Sequence, residues 1–67
     1  MLTRAEAQSV VEASLRAREP TERMTPKQML RFCQSMHAVL PFKSKGDPMS
    51  DIRQWAERWE SMWLRSN

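Results

Sequence analysis

The sequence DIRQWAERWESMWLRSN, residues 51–67, places three tryptophans four positions apart. At 100° per residue, this spacing keeps the indoles on one side of a helix. The full apolar stripe on that side is Met49, Ile52, Trp55, Ala56, Trp59, Met62 and Trp63. The opposite side is polar and carries Asp51, Arg53, Gln54, Glu57, Arg58, Glu60 and Arg65. With Asp47 as N-cap and Pro48 at the first helical position, the segment predicts an amphipathic helix over 48–65.

A second helix is predicted over 26–40. Thr25 and Gln28 match a capping box, in which each side chain binds the other residue's backbone N–H. Pro41 ends the helix, because proline cannot continue the hydrogen-bond ladder. The apolar half of this helix is Met29, Leu30, Phe32, Cys33, Met36, Val39 and Leu40.

The first helix is predicted over 4–18. Thr3 and Glu6 form another capping box, and the helix stops before Pro20. Its stripe is made of small side chains, which are Ala7, Val10, Val11, Ser14, Leu15 and Ala17. Such a stripe buries little area but lets a neighbouring backbone approach closely. The apolar stripe of this helix is therefore the least hydrophobic of the three.

The fold class is therefore all-α, a three-helix unit that forms a single domain over 1–67. No segment alternates apolar and polar residues with the period of two that a half-buried strand requires. Both connections between helices have roughly seven residues, and the second, PFKSKGD, is expected to be a loop.

Composition bounds the setting of the protein. The chain has 67 residues, with 11 Lys and Arg against 8 Asp and Glu. Cys33 is its single cysteine, so no intramolecular disulfide can form and a reducing, cytoplasmic setting is expected. The first residues lack the apolar core of a signal peptide, and no window approaches the roughly 20 apolar residues of a membrane span. We expect no contact with membranes.

The tryptophan stripe raises the question of what covers it. Chains of this size bury only about 60% of their unfolded surface, and three short helices are not expected to cover three indoles completely. We therefore predict that part of the stripe meets another protein or a second copy, as in a homodimeric bundle. The predicted interface residues are Ile52, Trp55, Arg58, Trp59, Met62, Trp63 and Arg65.

No motif indicates catalysis. Cys33 and His37 have the i, i+4 spacing of metal ligands, but the chain has no further Cys or His, so no metal or other cofactor is expected. Gly46 is the only glycine, which excludes a glycine-rich phosphate loop. Glu57 and Glu60 are expected to face solvent rather than to form an acid–base pair in a pocket. We expect neither an enzyme nor a small-molecule substrate.

Nucleic-acid binding is the alternative. The excess of basic residues gives a net charge of +3 and an isoelectric point of 9.8. The candidate phosphate contacts are Arg16, Arg18, Arg23, Lys27, Arg31, Lys43 and Lys45, provided that the two loops converge. Both connections are too long for a helix-turn-helix, and acidic residues interrupt the basic segments. A solvated polar surface explains these charges equally well.

The sequence thus favours a small protein-binding regulator, adaptor or inhibitor that occupies a partner's surface, with a phage or plasmid genome as a suggested origin. A basic DNA-binding or RNA-binding regulator is the competing prediction.

Overall fold

The computed structural model describes residues 1–66 and confirms the all-α class. Three helices follow one another: α1 (Arg4–Arg18), α2 (Pro26–Val39) and α3 (Pro48–Ser66). Each lies within one residue of its predicted bounds. The prediction that α2 continues to residue 40 is wrong by one position, because Leu40 turns to an extended backbone at the C-cap.

Both predicted capping boxes are present. Thr3 Oγ accepts the backbone N–H of Glu6 at 3.1 Å, and Glu6 Oε1 accepts that of Thr3 at 2.9 Å. The hydrogen bond from the Thr3 backbone is the main reason why the pKa of Glu6 lies below its usual value. Thr25 and Gln28 repeat the arrangement at 3.2 and 2.9 Å. These bonds satisfy N–H groups that have no partner inside the helix, and so fix where α1 and α2 begin.

The central element is α3, which packs against both α1 and α2. An ion pair of 3.2 Å joins Arg4, at the start of α1, to Asp51, near the start of α3. At the other end, Trp63 Nε1 donates to the carbonyl oxygen of Pro20, just beyond α1, at 2.9 Å. The two helices therefore run in the same direction, and α2 runs opposite to both. The unit is compact, with a radius of gyration of 11.4 Å.

The small side chains of α1 are among the most completely buried in the molecule. Ala7 and Val11 are 0% exposed, and so are Ile52 and Ala56 of α3. Small residues on both helices allow α1 and α3 to pack closely. Further side chains from the three helices and from the second loop complete the core. They are Leu15, Met29, Phe32, Cys33, Met36, Leu40, Phe42, Trp55 and Trp59.

The second loop contributes to the core. Phe42 is buried, and its ring centroid lies 5.5 Å from that of Trp55. Leu2 N–H donates to the carbonyl oxygen of Pro41 at 2.8 Å, and Leu2 and Phe42 form an isolated parallel bridge. Phe42 therefore packs against Trp55 in the core, which the assignment of this segment to a loop did not predict.

One chain covers most of the tryptophan stripe. Trp55 and Trp59 are each 8% exposed, so the prediction that one chain does not cover all three indoles completely is confirmed only at Trp63. Trp63 is half-buried and stacks on Trp59, with 5.0 Å between ring centroids and 15° between planes. Met62 remains 63% exposed, since its position on the wheel lies at the edge of the stripe.

Glu60 corrects the prediction of a solvent-facing carboxylate. Its side chain is 2% exposed, and Oε2 accepts the backbone N–H of Met24 at 2.8 Å. The loop between α1 and α2 folds over this flank of α3, where Arg23 also donates to Ser61 Oγ at 2.8 Å. A helical wheel considers one helix alone. It therefore cannot predict that the first loop covers part of the polar side of α3.

Among residues 1–66, no helix combines the length and the apolar character needed to cross a bilayer.

Candidate functional site

The predicted interface residues separate into two groups. Ile52, Trp55 and Trp59 belong to the core of a single chain. Arg58, Met62 and Arg65 are exposed, and Trp63 is half-buried. The assignment of these seven residues to an interface stays a prediction, but the side chains accessible to a partner lie at the edges of the stripe rather than at its centre.

One surface feature is a cleft between α2 and the first half of α3, called here the α2–α3 cleft. It has a volume of about 330 Å³. Its lining is Pro26, Met29, Leu30, Cys33, Asp47, Met49, Ser50 and Arg53. Leu30 is 53% exposed, although the sequence pattern places it on the apolar half of α2. An exposed leucine beside an apolar hollow is a feature that can receive a side chain from another molecule.

The α2–α3 cleft has a buried floor and a polar rim. Met29 and Cys33 form a buried floor, and burial raises the pKa of the Cys33 thiol. The thiolate is the reactive form of cysteine, so this shift lowers the reactivity of the group. At the rim, Arg53 Nε lies 2.7 Å from Glu57 Oε1 in an exposed ion pair.

A second feature lies on the other side of α3, between that helix and α1, and is called here the α1–α3 depression. Its volume is about 630 Å³. It is lined by Arg4, Gln8, Arg23, Gln54, Trp55, Glu57, Arg58 and Ser61. Three arginines thus line one concavity, one each from α1, the first loop and α3.

The guanidinium groups of the depression differ in how they are held. Arg4 pairs with Asp51 through both Nε and Nη2, and lies 5.6 Å from the Trp55 ring centroid. Hydrogen bonding by Ser44, followed by Arg4, holds the pKa of Asp51 below its usual value. Arg58 has no ion pair with any residue in 1–66.

The basic residues proposed for nucleic acid form two distant groups. Arg18 and Arg31 line one hollow with Gln28, Phe32 and Ser35, and Arg18 lies 5.7 Å from the Phe32 ring centroid. Lys43 and Lys45, by contrast, flank Ser44, which bonds Asp51 near the start of α3.

The length of α1 separates these groups. Arg16 and Arg18 lie at the end of α1 and Arg23 and Lys27 follow shortly after, whereas the second loop lies beside its start. Fifteen residues at 1.5 Å per residue span about 22 Å. The convergence of the two loops, on which the nucleic-acid prediction depends, is therefore not observed.

Cys33 and His37 occupy different environments. Cys33 is a buried free thiol, whereas His37 is exposed on the surface of α2. Across residues 1–66, no three His, Cys, Asp or Glu side chains come together in a way that could hold a metal ion.

The α1–α3 depression was not predictable as a site from the sequence. Gln54, Arg58 and Ser61 follow the i, i+4, i+7 pattern of one helix face, so the sequence does predict a polar stripe on α3. Arg4 and Arg23 join them only through tertiary contacts over 47 and 38 positions of sequence. Neither contact has a local signal.

Comparison with family models, characterised proteins and solved structures finds no match to this chain.

Proposed function

We propose that this protein is a non-enzymatic regulator, adaptor or inhibitor that acts by occupying part of a partner protein's surface. The observation that carries the proposal is the α2–α3 cleft, where Leu30 remains 53% exposed beside Met29, Cys33 and Met49. Protein interfaces combine an apolar centre with a polar rim. Asp47 supplies part of such a rim here.

The size of the cleft indicates what the partner would contribute. At about 330 Å³ it is near the lower end of the range for small-molecule pockets. With Met29, Leu30 and Met49 in its lining, it suits an apolar side chain projecting from another protein. Leucine, methionine or an aromatic residue on the partner would match its lining.

The thiol in this cleft supports a binding role rather than a catalytic one. Cys33 is 3% exposed, and its raised pKa favours the unreactive thiol. We further propose a cytoplasmic location, since this single cysteine is free, as is usual in a reducing compartment.

Nucleic-acid binding remains a second candidate because of one local observation. Arg18 and Arg31 line a common hollow, and neither has an ion pair among residues 1–66. Two guanidinium groups so arranged could contact neighbouring phosphates. The distance to Lys43 and Lys45 limits the cationic surface to one end of the molecule.

The proposal is tested by affinity capture from source-cell lysate with and without nuclease, read by mass spectrometry. Wild type is compared with Leu30→Ser and Val39→Ser. Val39 is the matched control, because it is an apolar α2 residue that is 68% exposed and outside the cleft. Circular dichroism establishes that both variants remain folded.

We expect a discrete protein that wild type and Val39→Ser retain and that Leu30→Ser loses. Equal retention by all three chains would overturn the assignment of the cleft. Partners that disappear when nuclease is added would overturn the protein-binding function itself. They would favour nucleic-acid binding at the hollow lined by Arg18 and Arg31.

A further inference from the structure

We propose that the α1–α3 depression binds carboxylates on an acidic segment of the partner protein, an inference that rests on the proposed function. Three arginines from three different elements line this one concavity. Its volume of about 630 Å³ lies within the range of ligand pockets, generally about 300–1,000 Å³. The depression is separate from the α2–α3 cleft and would add a second, electrostatic contact to the same partner.

The guanidinium groups have hydrogen-bond donors to spare. Each guanidinium has five N–H groups, and a carboxylate can accept two of them side by side. Arg58 uses none of its donors on a carboxylate in residues 1–66, and Arg23 uses one on the hydroxyl of Ser61 at 2.8 Å. This hydroxyl contact orients Arg23 without neutralising it.

The floor and flanks of the depression are also suited to a peptide. Arg4 is fixed in place by its ion pair with Asp51 and by the ring of Trp55, 5.6 Å away. A guanidinium that is already oriented loses less side-chain entropy when it binds. The side-chain amides of Gln8 and Gln54 add neutral hydrogen-bonding groups that can contact a peptide backbone.

The charge pattern favours an acidic protein segment over nucleic acid. Glu57 lines the same depression as the three arginines, and Asp51 forms an ion pair with Arg4. A duplex carries one phosphate charge per roughly 1.7 Å of its axis, and such a continuous track would bring phosphates against Glu57. A short peptide can instead place a few carboxylates beside Arg23 and Arg58 and leave Glu57 in its ion pair with Arg53.

The test uses the full chain labelled with ¹⁵N and titrated with a hexaglutamate peptide. We expect amide shifts concentrated at Gln8, Gln54, Arg58 and Ser61. Arg58→Ala should weaken binding by about tenfold, the effect of losing one charged hydrogen-bonded contact. Arg31→Ala is the matched control, because it removes the same charge from an exposed arginine outside the depression.

Several results would overturn the inference. Affinity that falls equally in Arg58→Ala and Arg31→Ala would mean diffuse attraction without a site. A peptide that does not bind, or that shifts amides elsewhere in the chain, would also exclude a carboxylate site in the depression. A short oligothymidylate that binds more tightly than the peptide, and loses affinity in Arg31→Ala, would replace it with a nucleic-acid site.

Failure here can be told apart from failure of the proposed function. A partner captured in the presence of nuclease and dependent on Leu30 supports the protein-binding function by itself. If Arg58→Ala retains that partner at full affinity, the acidic-segment inference falls while the function stands. If no such partner exists, both fall.

Discussion

Glu60 connects the first loop to α3 through a buried carboxylate. It is 2% exposed, and its carboxylate accepts the Met24 N–H at 2.8 Å, immediately before the capping box of α2. Replacing one partner of a buried hydrogen bond leaves the other without water or protein to bind, which costs about 1–3 kcal/mol and more for charged groups. The position of α2 relative to α3 therefore depends on an acidic residue.

Glu60→Ala is predicted to lower the free energy of unfolding by about 2–3 kcal/mol, because Met24 N–H loses its acceptor. Glu60→Gln keeps an oxygen acceptor and should cost less. Urea unfolding followed by tryptophan fluorescence measures both. Glu57→Ala is the control, since Glu57 is exposed and the change should stay within about 0.5 kcal/mol. Equal effects at the two positions would contradict this account of Glu60.

At the scale of elements, Asp51 connects the starts of α1 and α3 to the second loop. It pairs with Arg4 and accepts a hydrogen bond from Ser44, whose Oγ in turn accepts the N–H of Gly46 at 3.1 Å. The pKa of Asp51 is lowered in the folded state by Ser44 first and by Arg4 next. A lowered carboxyl pKa contributes stability above the unfolded value of about 3.9, and this contribution is lost as pH falls through the folded value.

We predict that Asp51→Asn lowers the free energy of unfolding at pH 7 by about 1 kcal/mol. The difference from wild type should shrink as pH falls from about 4 through the lowered folded-state pKa of Asp51, below which wild type is also neutral at this position. Unfolding curves at a series of pH values measure it. Asp47→Asn is the matched control, because Asp47 has no ion pair among residues 1–66 and asparagine still caps a helix. A difference from wild type that does not change with pH would contradict the prediction.

Local sequence patterns predict the three helices, but they do not predict contacts between segments that are far apart in the sequence. Each helix start is marked by a cap, so the boundaries of α1, α2 and α3 were predictable. Leu30 and Val39 are nine positions apart on α2, which is half a turn of the wheel, so they lie at opposite edges of its apolar half. Both therefore stay exposed. The burial of Phe42 depends on the chain start and on Trp55, which no local pattern reports.

For the whole molecule, the closed core of one chain bears on self-association. Ile52, Trp55 and Trp59 are 8% exposed or less without a second copy, so folding should not require dimerisation. We predict a thermal unfolding midpoint that is unchanged over about a hundredfold range of protein concentration. Calorimetry measures it. A midpoint that rises with concentration would contradict this prediction and would support the homodimer expected from the tryptophan spacing.

The most direct test of the protein-binding account measures the affinity of the captured partner between about 50 and 200 mM salt. The chains compared are wild type, Leu30→Ser and Val39→Ser. An interface centred on the apolar cleft should weaken by less than about tenfold over this range, since salt screens mainly exposed charges. Leu30→Ser alone should bind more weakly at every salt concentration. A loss of about a thousandfold or more with salt, equal in all three chains, is the behaviour of multiple phosphate contacts and would contradict the account.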